Sequence, residues 1–223
     1  MRPTHAFVLA VAIGLTPLAS ADLLWDNYAI PNGWDGETGL SSERDTLISD
    51  TWVIDDAVFE QPVIVEEIQW LGFRGVESFV AADFIIMDNE FQVIAEVHDA
   101  PFTANDLGRQ LGRFELYEGS VVLAEPVELG PGQYFIGTRM VGDFLGRNFA
   151  ATSGTGAQNV MGLSQAYFKG VPFGFDEWTP VNEVLISGEP SDFAFRVNGT
   201  IVPEPASLML LAFGAAATLR RRR

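Results

Sequence analysis

The 223-residue chain contains no cysteine, only two histidines, and 13 basic residues against 30 acidic ones. Without cysteine there is no disulfide framework, no thiolate zinc or iron–sulfur site and no cysteine nucleophile. One histidine, His5, lies in the N-terminal apolar segment, which leaves His98 in Glu96-Val97-His98-Asp99. A multi-histidine metal site within one chain is therefore excluded. A Ser-His-Asp triad would have to use His98, and no Gly-x-Ser-x-Gly elbow presents a serine to it. Phosphate-loop and dinucleotide glycine fingerprints are absent. No long stretch carries apolar residues at helical spacing, and no repeat of fixed period marks a solenoid or propeller. The scarcity of bases gives a net charge of −17, which repels phosphate and argues against nucleic acid or an anionic membrane surface as partner.

What is present is unevenly distributed. All 30 acids lie from Asp22 onward, whereas Arg2 and Arg220–Arg223 stand at the two ends. Between residues 22 and 219 eight bases face the 30 acids, a charge of −22. The body is acidic and the ends are apolar and basic, a pattern of addresses around a cargo.

Residues 1–21 read as a secretory signal peptide. Arg2 supplies the positive n-region, Ala6 to Leu15 are apolar, and Ala19-Ser20-Ala21 offers small residues to signal peptidase, with cleavage expected before Asp22. At the other end, Pro203-Glu204-Pro205 is followed by an apolar run from Ala206 to Leu219 and then by Arg220, Arg221, Arg222 and Arg223. The prolines break preceding structure. The apolar run, 14 residues long, is shorter than the ~17–25 of a permanent span. The arginines hold its far end on the cytoplasmic side. The physical expectation is a short hydrophobic helix that anchors transiently in the inner membrane.

This tail, residues 202–223, resembles the PEP-CTERM sorting signal of Gram-negative bacteria in the order and spacing of all three parts. The resemblance implies processing near Pro203-Glu204-Pro205 by an exosortase, a membrane cysteine transpeptidase. It further implies a host that makes extracellular polysaccharide, and export to the cell envelope or beyond.

Residues 22–201 form the body, long enough for one core without staples. Short runs rich in Val, Ile, Phe, Tyr and Trp are punctuated by Gly, Pro, Asn and Asp, which predicts strands: Thr51–Phe59, Val63–Arg74 opened by Pro62, Asp83–Met87, Phe91–Val97, Gln133–Val141 after Gly130-Pro131-Gly132, and Phe193–Val202. Asp88-Asn89-Glu90 predicts one hairpin loop. Glu118-Gly119-Ser120, between Arg113–Tyr117 and Val121–Ala124, predicts another. The Gly- and Ser/Thr-rich segment from Ala151 to Gly162 reads as a loop. The expected fold is all-β, a single jelly-roll-like β-sandwich flanked by the signal peptide and the C-terminal helix. The body also resembles, more loosely, the β-sandwich domains often found ahead of such a tail, through Asp55-Asp56, Leu129 to Phe135, and Asp192 to Thr200.

For chemistry, the carboxylate pairs Asp55-Asp56 and Glu66-Glu67 stand out, but neighbours on a strand point to opposite faces and cannot act as a pair. Acids suit calcium, which takes six to eight oxygen ligands; candidate ligands for a structural ion are Asp26, Asn27, Asp35, Asp55 and Asp56, though no EF-hand spacing accompanies them. Among the tryptophans, Trp34, in Asn32-Gly33-Trp34-Asp35-Gly36, and Trp178, before Thr179-Pro180, are the candidates for stacking on a sugar ring. Trp52 and Trp70 fall within predicted strands and read as core. Asn198-Gly199-Thr200 is read as a chance match to a glycosylation acceptor.

The function expected from sequence is non-catalytic: an exported cell-surface or matrix protein, sorted by an exosortase and associated with extracellular polysaccharide in a biofilm-type matrix. No cofactor is expected beyond the candidate calcium. A carbohydrate-binding module is the alternative. A glycan-active jelly-roll enzyme, which needs two carboxylates facing across a cleft, is the third.

Overall fold

The structure is a computed structural model that describes residues 21–28, 39–45, 50–75, 79–142, 147–155 and 162–203. Trp34 and Asp35, the signal segment 1–20, and the tail from Glu204 through Pro205 to Arg220–Arg223 lie outside the described residues. In chain order the strands are β1 Asp22–Asp26, β2 Gly39–Ser41, β3 Glu43–Arg44, β4 Thr51–Phe59, β5 Val63–Arg74, β6 Ala81–Asp88, β7 Val93–Ala100, β8 Thr103–Leu111, β9 Phe114–Leu129, β10 Gly132–Val141, β11 Asn148–Thr155, β12 Tyr167–Gly170, β13 Phe175–Pro180, β14 Ser191–Phe193 and β15 Phe195–Ile201. The helical structure among the described residues is one 3-10 turn, Val171–Phe173, and the four-residue α1, Val181–Val184. None of these is long and apolar enough to cross a membrane; the apolar run 206–219 is not among the residues described.

The strands form two sheets, the all-β sandwich-like arrangement expected. In the eight-stranded sheet β5 is central: β9 runs along one edge, and β15 followed by β11 along the other. β9 carries β8, β15 carries β1, and β11 carries β2 and β14. The seven-stranded sheet runs β13-β12-β4-β10-β6-β7, with β3 added parallel to the end of β10.

Between the sheets lies a core of Ala57 and Phe59 on β4, Ala82, Phe84 and Ile86 on β6, Ile136 and Met140 on β10, facing Val63, Val65, Ile68 and Trp70 on β5, Tyr117, Val121 and Leu123 on β9, and Phe195 and Val197 on β15. The period of two is visible within each strand. On β5 it changes parity: Val63 and Val65 face inward, then Ile68 and Trp70 do. Both ladders of β5 slip register there, between Val65 and Glu67 against β9 and between Asn198 and Gly199 against β15. An inserted residue at this bulge returns the apolar side chains to the core.

Two sequence expectations are corrected. Glu118-Gly119-Ser120 is no hairpin loop, because β9 runs through it, paired on β5 and β8. Gly119 is there for close approach: a Cβ on it would meet the Trp70 ring at 2.3 Å. The turn lies instead between β8 and β9 at Gly112, whose φ of 60° suits glycine. The segment read as a loop from Ala151 begins as strand, since Asn148–Thr155 is β11; its first half pairs with β5 and β2 and its second half with β14. The Asp88-Asn89-Glu90 hairpin is present. Asp88 Oδ1 accepts from the backbone N–H groups of Glu90 and Gln92, both at 2.9 Å.

Candidate functional site

On β4 the odd positions Val53, Asp55, Ala57 and Phe59 face the other sheet, so the even positions Trp52, Ile54 and Asp56 face away from it. The same alternation on β6 and β10 turns Asp83, Ile85, Met87, Phe135 and Arg139 to that outer face. Trp52, Ile54, Ile85, Met87 and Phe135 cluster there with Phe91, Tyr167 and Trp178. A recess of about 330 Å³ opens on this face. Trp52, Ile85, Met87 and Arg139 line it from the middle strands of the sheet, Glu96, Lys169 and Trp178 from β7, β12 and β13, and Asp50 from the residue before β4.

Two aromatic–cation contacts shape the recess. The Arg139 guanidinium carbon stands 4.1 Å from the centroid of the Trp52 ring. The Lys169 ammonium, opposite Trp52 in the β4–β12 register, stands 5.8 Å from the centroid of the Trp178 ring. Phe91 stacks on Trp178 at 6.4 Å with an interplanar angle of 15° and also stacks on Phe135 at 4.7 Å. The aromatic wall is thus braced by side chains that are themselves packed, which is the condition for a preformed site.

Arg139 is fixed by its acids. It pairs with Asp50, and its Nε donates to Asp83 Oδ2 at 2.8 Å. Asp83 lies directly opposite Arg139 on β6 and is fully buried. Arg44 donates to both Asp83 oxygens, at 2.7 and 3.0 Å, and reaches Asp99 at 2.6 Å. Burial pushes the Asp83 carboxyl up, but the Arg44 hydrogen bonds, the Asp99 backbone N–H and Arg139 outweigh it and hold it well below the usual carboxylate range. His98 is exposed at the margin, 3.4 Å from Asp83 and from Glu96.

Residues 202–223, which include the Pro203-Glu204-Pro205 tripeptide and the terminal arginines, match the family model of the PEP-CTERM protein-sorting motif. The chain carries a PEP-CTERM sorting signal. No curated protein and no solved structure matches the chain. The PEP-CTERM signal makes this an exported protein processed by an exosortase and sent to the cell envelope or surface. In the described part of the signal, Val202 N–H donates to Pro62 O at 2.8 Å, so the chain leaving β15 is held beside the start of β5 as far as Val202.

Of the sugar-stacking candidates in this PEP-CTERM protein, Trp178 lines the recess and Trp34 lies outside the described residues. Trp52, read as core, is buried yet forms part of the recess wall, whereas Trp70 lies between the sheets and donates to Tyr117 Oη at 3.1 Å. Arg139, Lys169, Asp50 and Glu96 were not singled out by sequence. The calcium candidates are dispersed over several partners. Asp26 pairs with Arg196 at 3.0 Å. Asn27 and Asp55 come together, Asn27 Nδ2 donating to Asp55 Oδ2 at 3.1 Å. Asp56 points to the opposite face and accepts from Gln133 Nε2 at 2.8 Å and Leu163 N–H at 2.7 Å. Among the described residues no three His, Asp or Glu side chains gather as a metal site. Asp55 instead lies near Asp192, both fully buried. Burial, then the charge of Asp192, raise the Asp55 carboxyl well above its ordinary range, against the lowering effect of the Phe193 N–H it accepts.

Proposed function

We propose that this is a non-catalytic envelope or matrix protein whose sandwich holds extracellular polysaccharide in the recess on the outer face of the seven-stranded sheet. One observation carries the reading: a solvent-open recess walled by Trp52 and Trp178 with charged groups around it. A pyranose has an apolar face that packs on an indole and a rim of hydroxyls that hydrogen-bond to charged and polar groups. Asp50 and Glu96 supply acceptors, and Arg139 and Lys169 donors. Asp50 is tied to Arg139 and Glu96 stands exposed beside His98, so the two carboxylates serve here as hydroxyl acceptors rather than as an acid–nucleophile pair.

The test is binding of the body, residues 22–201, to a panel of bacterial exopolysaccharides and their oligosaccharides. Trp178→Ala is expected to weaken binding about tenfold, the effect of roughly 1.4 kcal/mol of lost ring contact, with a lowered melting midpoint but a retained cooperative transition, because the half-buried ring also packs on Phe91. Absence of binding across the panel would sink the reading, and release of reducing ends would replace it with the enzyme.

Delivery has its own check. Signal peptidase removes residues 1–21 and the apolar run anchors transiently in the inner membrane before exosortase processing. The intact mass of protein recovered from its host is then expected to begin at Asp22 and to end near Pro203-Glu204-Pro205, with any excess mass reporting an attached group. A mass that still contains Arg223, found only in membranes, would make the tail a permanent anchor.

A further inference from the structure

We infer that the saccharide held in the recess is acidic, a sugar bearing a carboxylate, and that Lys169 is the residue that pairs with it. The inference rests on the glycan-binding reading above and narrows it to a substrate class. Lys169 is the only lysine in the chain. Other cations near the seven-stranded sheet's outer face are neutralised by acids: Arg139 by Asp83 and Asp50, Arg44 by Asp83 and Asp99. Lys169 differs. Among the described residues no carboxylate lies within 4.0 Å of its ammonium, although the body carries a large excess of acids. What holds it is the Trp178 ring, 5.8 Å away, in the wall of the recess.

An acidic body that leaves its one ammonium without an acid, beside the ring best placed to stack on a sugar, offers a ligand two things at once. The indole takes the apolar face of the pyranose, and the ammonium, on a flexible stem, swings from the ring to the carboxylate. An ammonium is a point charge that suits a single carboxylate on a ring, without the planar two-point geometry that a guanidinium demands. Of the two recess carboxylates, Asp50 is already paired and Glu96 stands on β7, with three strands between it and β12 in the sheet, so a ligand carboxylate seated at Lys169 is kept apart from the Glu96 side of the recess. The overall negative charge repels a polyanion at long range, so the acid must be met locally, and Lys169 is the group available to do so.

The experiment compares oligogalacturonate with its methyl ester, which keeps the sugar skeleton and loses the charge, against the wild-type body, Lys169→Gln and Lys169→Arg, by calorimetry at physiological ionic strength. Wild type is expected to prefer the free acid by about tenfold, the scale of a charge-assisted hydrogen bond. Lys169→Gln should abolish that preference, weakening the acid far more than the ester, for which glutamine still offers a hydroxyl donor, and Lys169→Arg should restore much of it. A melting profile for each variant separates loss of contact from loss of fold. Equal binding of acid and ester, indifferent to Lys169, overturns the inference and leaves the glycan-binding reading standing. Lys169-dependent binding of a sulfated oligosaccharide in preference to the uronate overturns the carboxylate assignment. No binding of either saccharide, together with none across the neutral panel, removes the glycan-binding reading itself.

Discussion

Asp83→Ala is expected to lower stability by about 3–5 kcal/mol, the scale for removing one partner of a buried ion pair. The reason is geometric. Asp83 has no solvent exposure and accepts from Arg44, Arg139 and the Asp99 N–H. Its removal leaves the buried Arg139 guanidinium with Asp50 alone and strips Arg44 of its bidentate partner. Against a total stability of ~5–15 kcal/mol, urea denaturation should show a large fall in midpoint, and a change below ~1 kcal/mol would refute the central role given to Asp83. A double variant, Asp83→Asn with Arg139→Gln, is expected to cost less than the sum of its parts, because neither charge is then left alone. The wild-type acid limb follows from the same residue. Burial opposes ionisation of Asp83 but its donors outweigh burial, so its folded carboxyl titrates below the unfolded value. The stability it contributes is complete above about pH 4 and is lost as pH falls through the depressed folded value.

Asp55 gives the opposite limb. Burial, then Asp192, raise its carboxyl above the unfolded range. The folded state therefore binds more protons than the unfolded state from about pH 4 up to the raised value, and stability falls with rising pH across that window by up to about 1.4 kcal/mol per unit. Asp192→Asn removes the second cause and is expected to flatten the decline, read as midpoints of thermal unfolding from about pH 5 to 8. A profile unchanged by Asp192→Asn would show that the two carboxyls do not interact. Added calcium that raises the midpoint at the alkaline end of wild type, but not of Asp55→Asn, would mean that a cation can offset the Asp55 charge there. Asp55→Ala is a harsher change, since Asn27 Nδ2 and the N–H groups of Asp56 and Phe193 would lose a buried acceptor.

The strands that carry the core were the easiest to read. β4 and β5 have the bounds that Thr51–Phe59 and Val63–Arg74 suggested, because Val, Ile, Phe and Trp dominate both runs and Gln61-Pro62 and Gly75 mark their edges. β8, with its polar Ala-Asn-Asp-Leu-Gly-Arg-Gln sequence, is an edge strand held by β9 and leaves no apolar pattern to find. Gly119 looked like a turn because a glycine needed for a tryptophan's approach and a glycine needed for a positive φ are the same letter. The recess was legible only through Trp178. Trp52 was invisible as a wall because β4 is apolar on both faces, so alternation could not say which face met the other sheet. Arg139 and Asp83 lie 56 residues apart in sequence, and only the β6–β10 register makes them neighbours. Lys169 left a usable sign, a lone lysine in an acidic chain, but its place beside Trp178 depends on the β12–β13 hairpin.

The seal between Val202 and Pro62 sets a leash length. From Val202 to Ala206, where the apolar run begins, the chain spans at most about 14 Å fully extended, so the transient anchoring proposed above would hold the sandwich close to the bilayer until processing. The end nearest the tail is the one that holds the Phe59–Val63 turn, the Gly130-Pro131-Gly132 turn and the last residue of β15, which the pairings Val63↔Ile201, Val63↔Leu129 and Gly132↔Phe59 bring together. Trp52 sits seven residues from Phe59 along β4, about 23 Å at the rise of a strand. The molecule thus has a root and a crown, and under the proposed anchoring the crown would point outward.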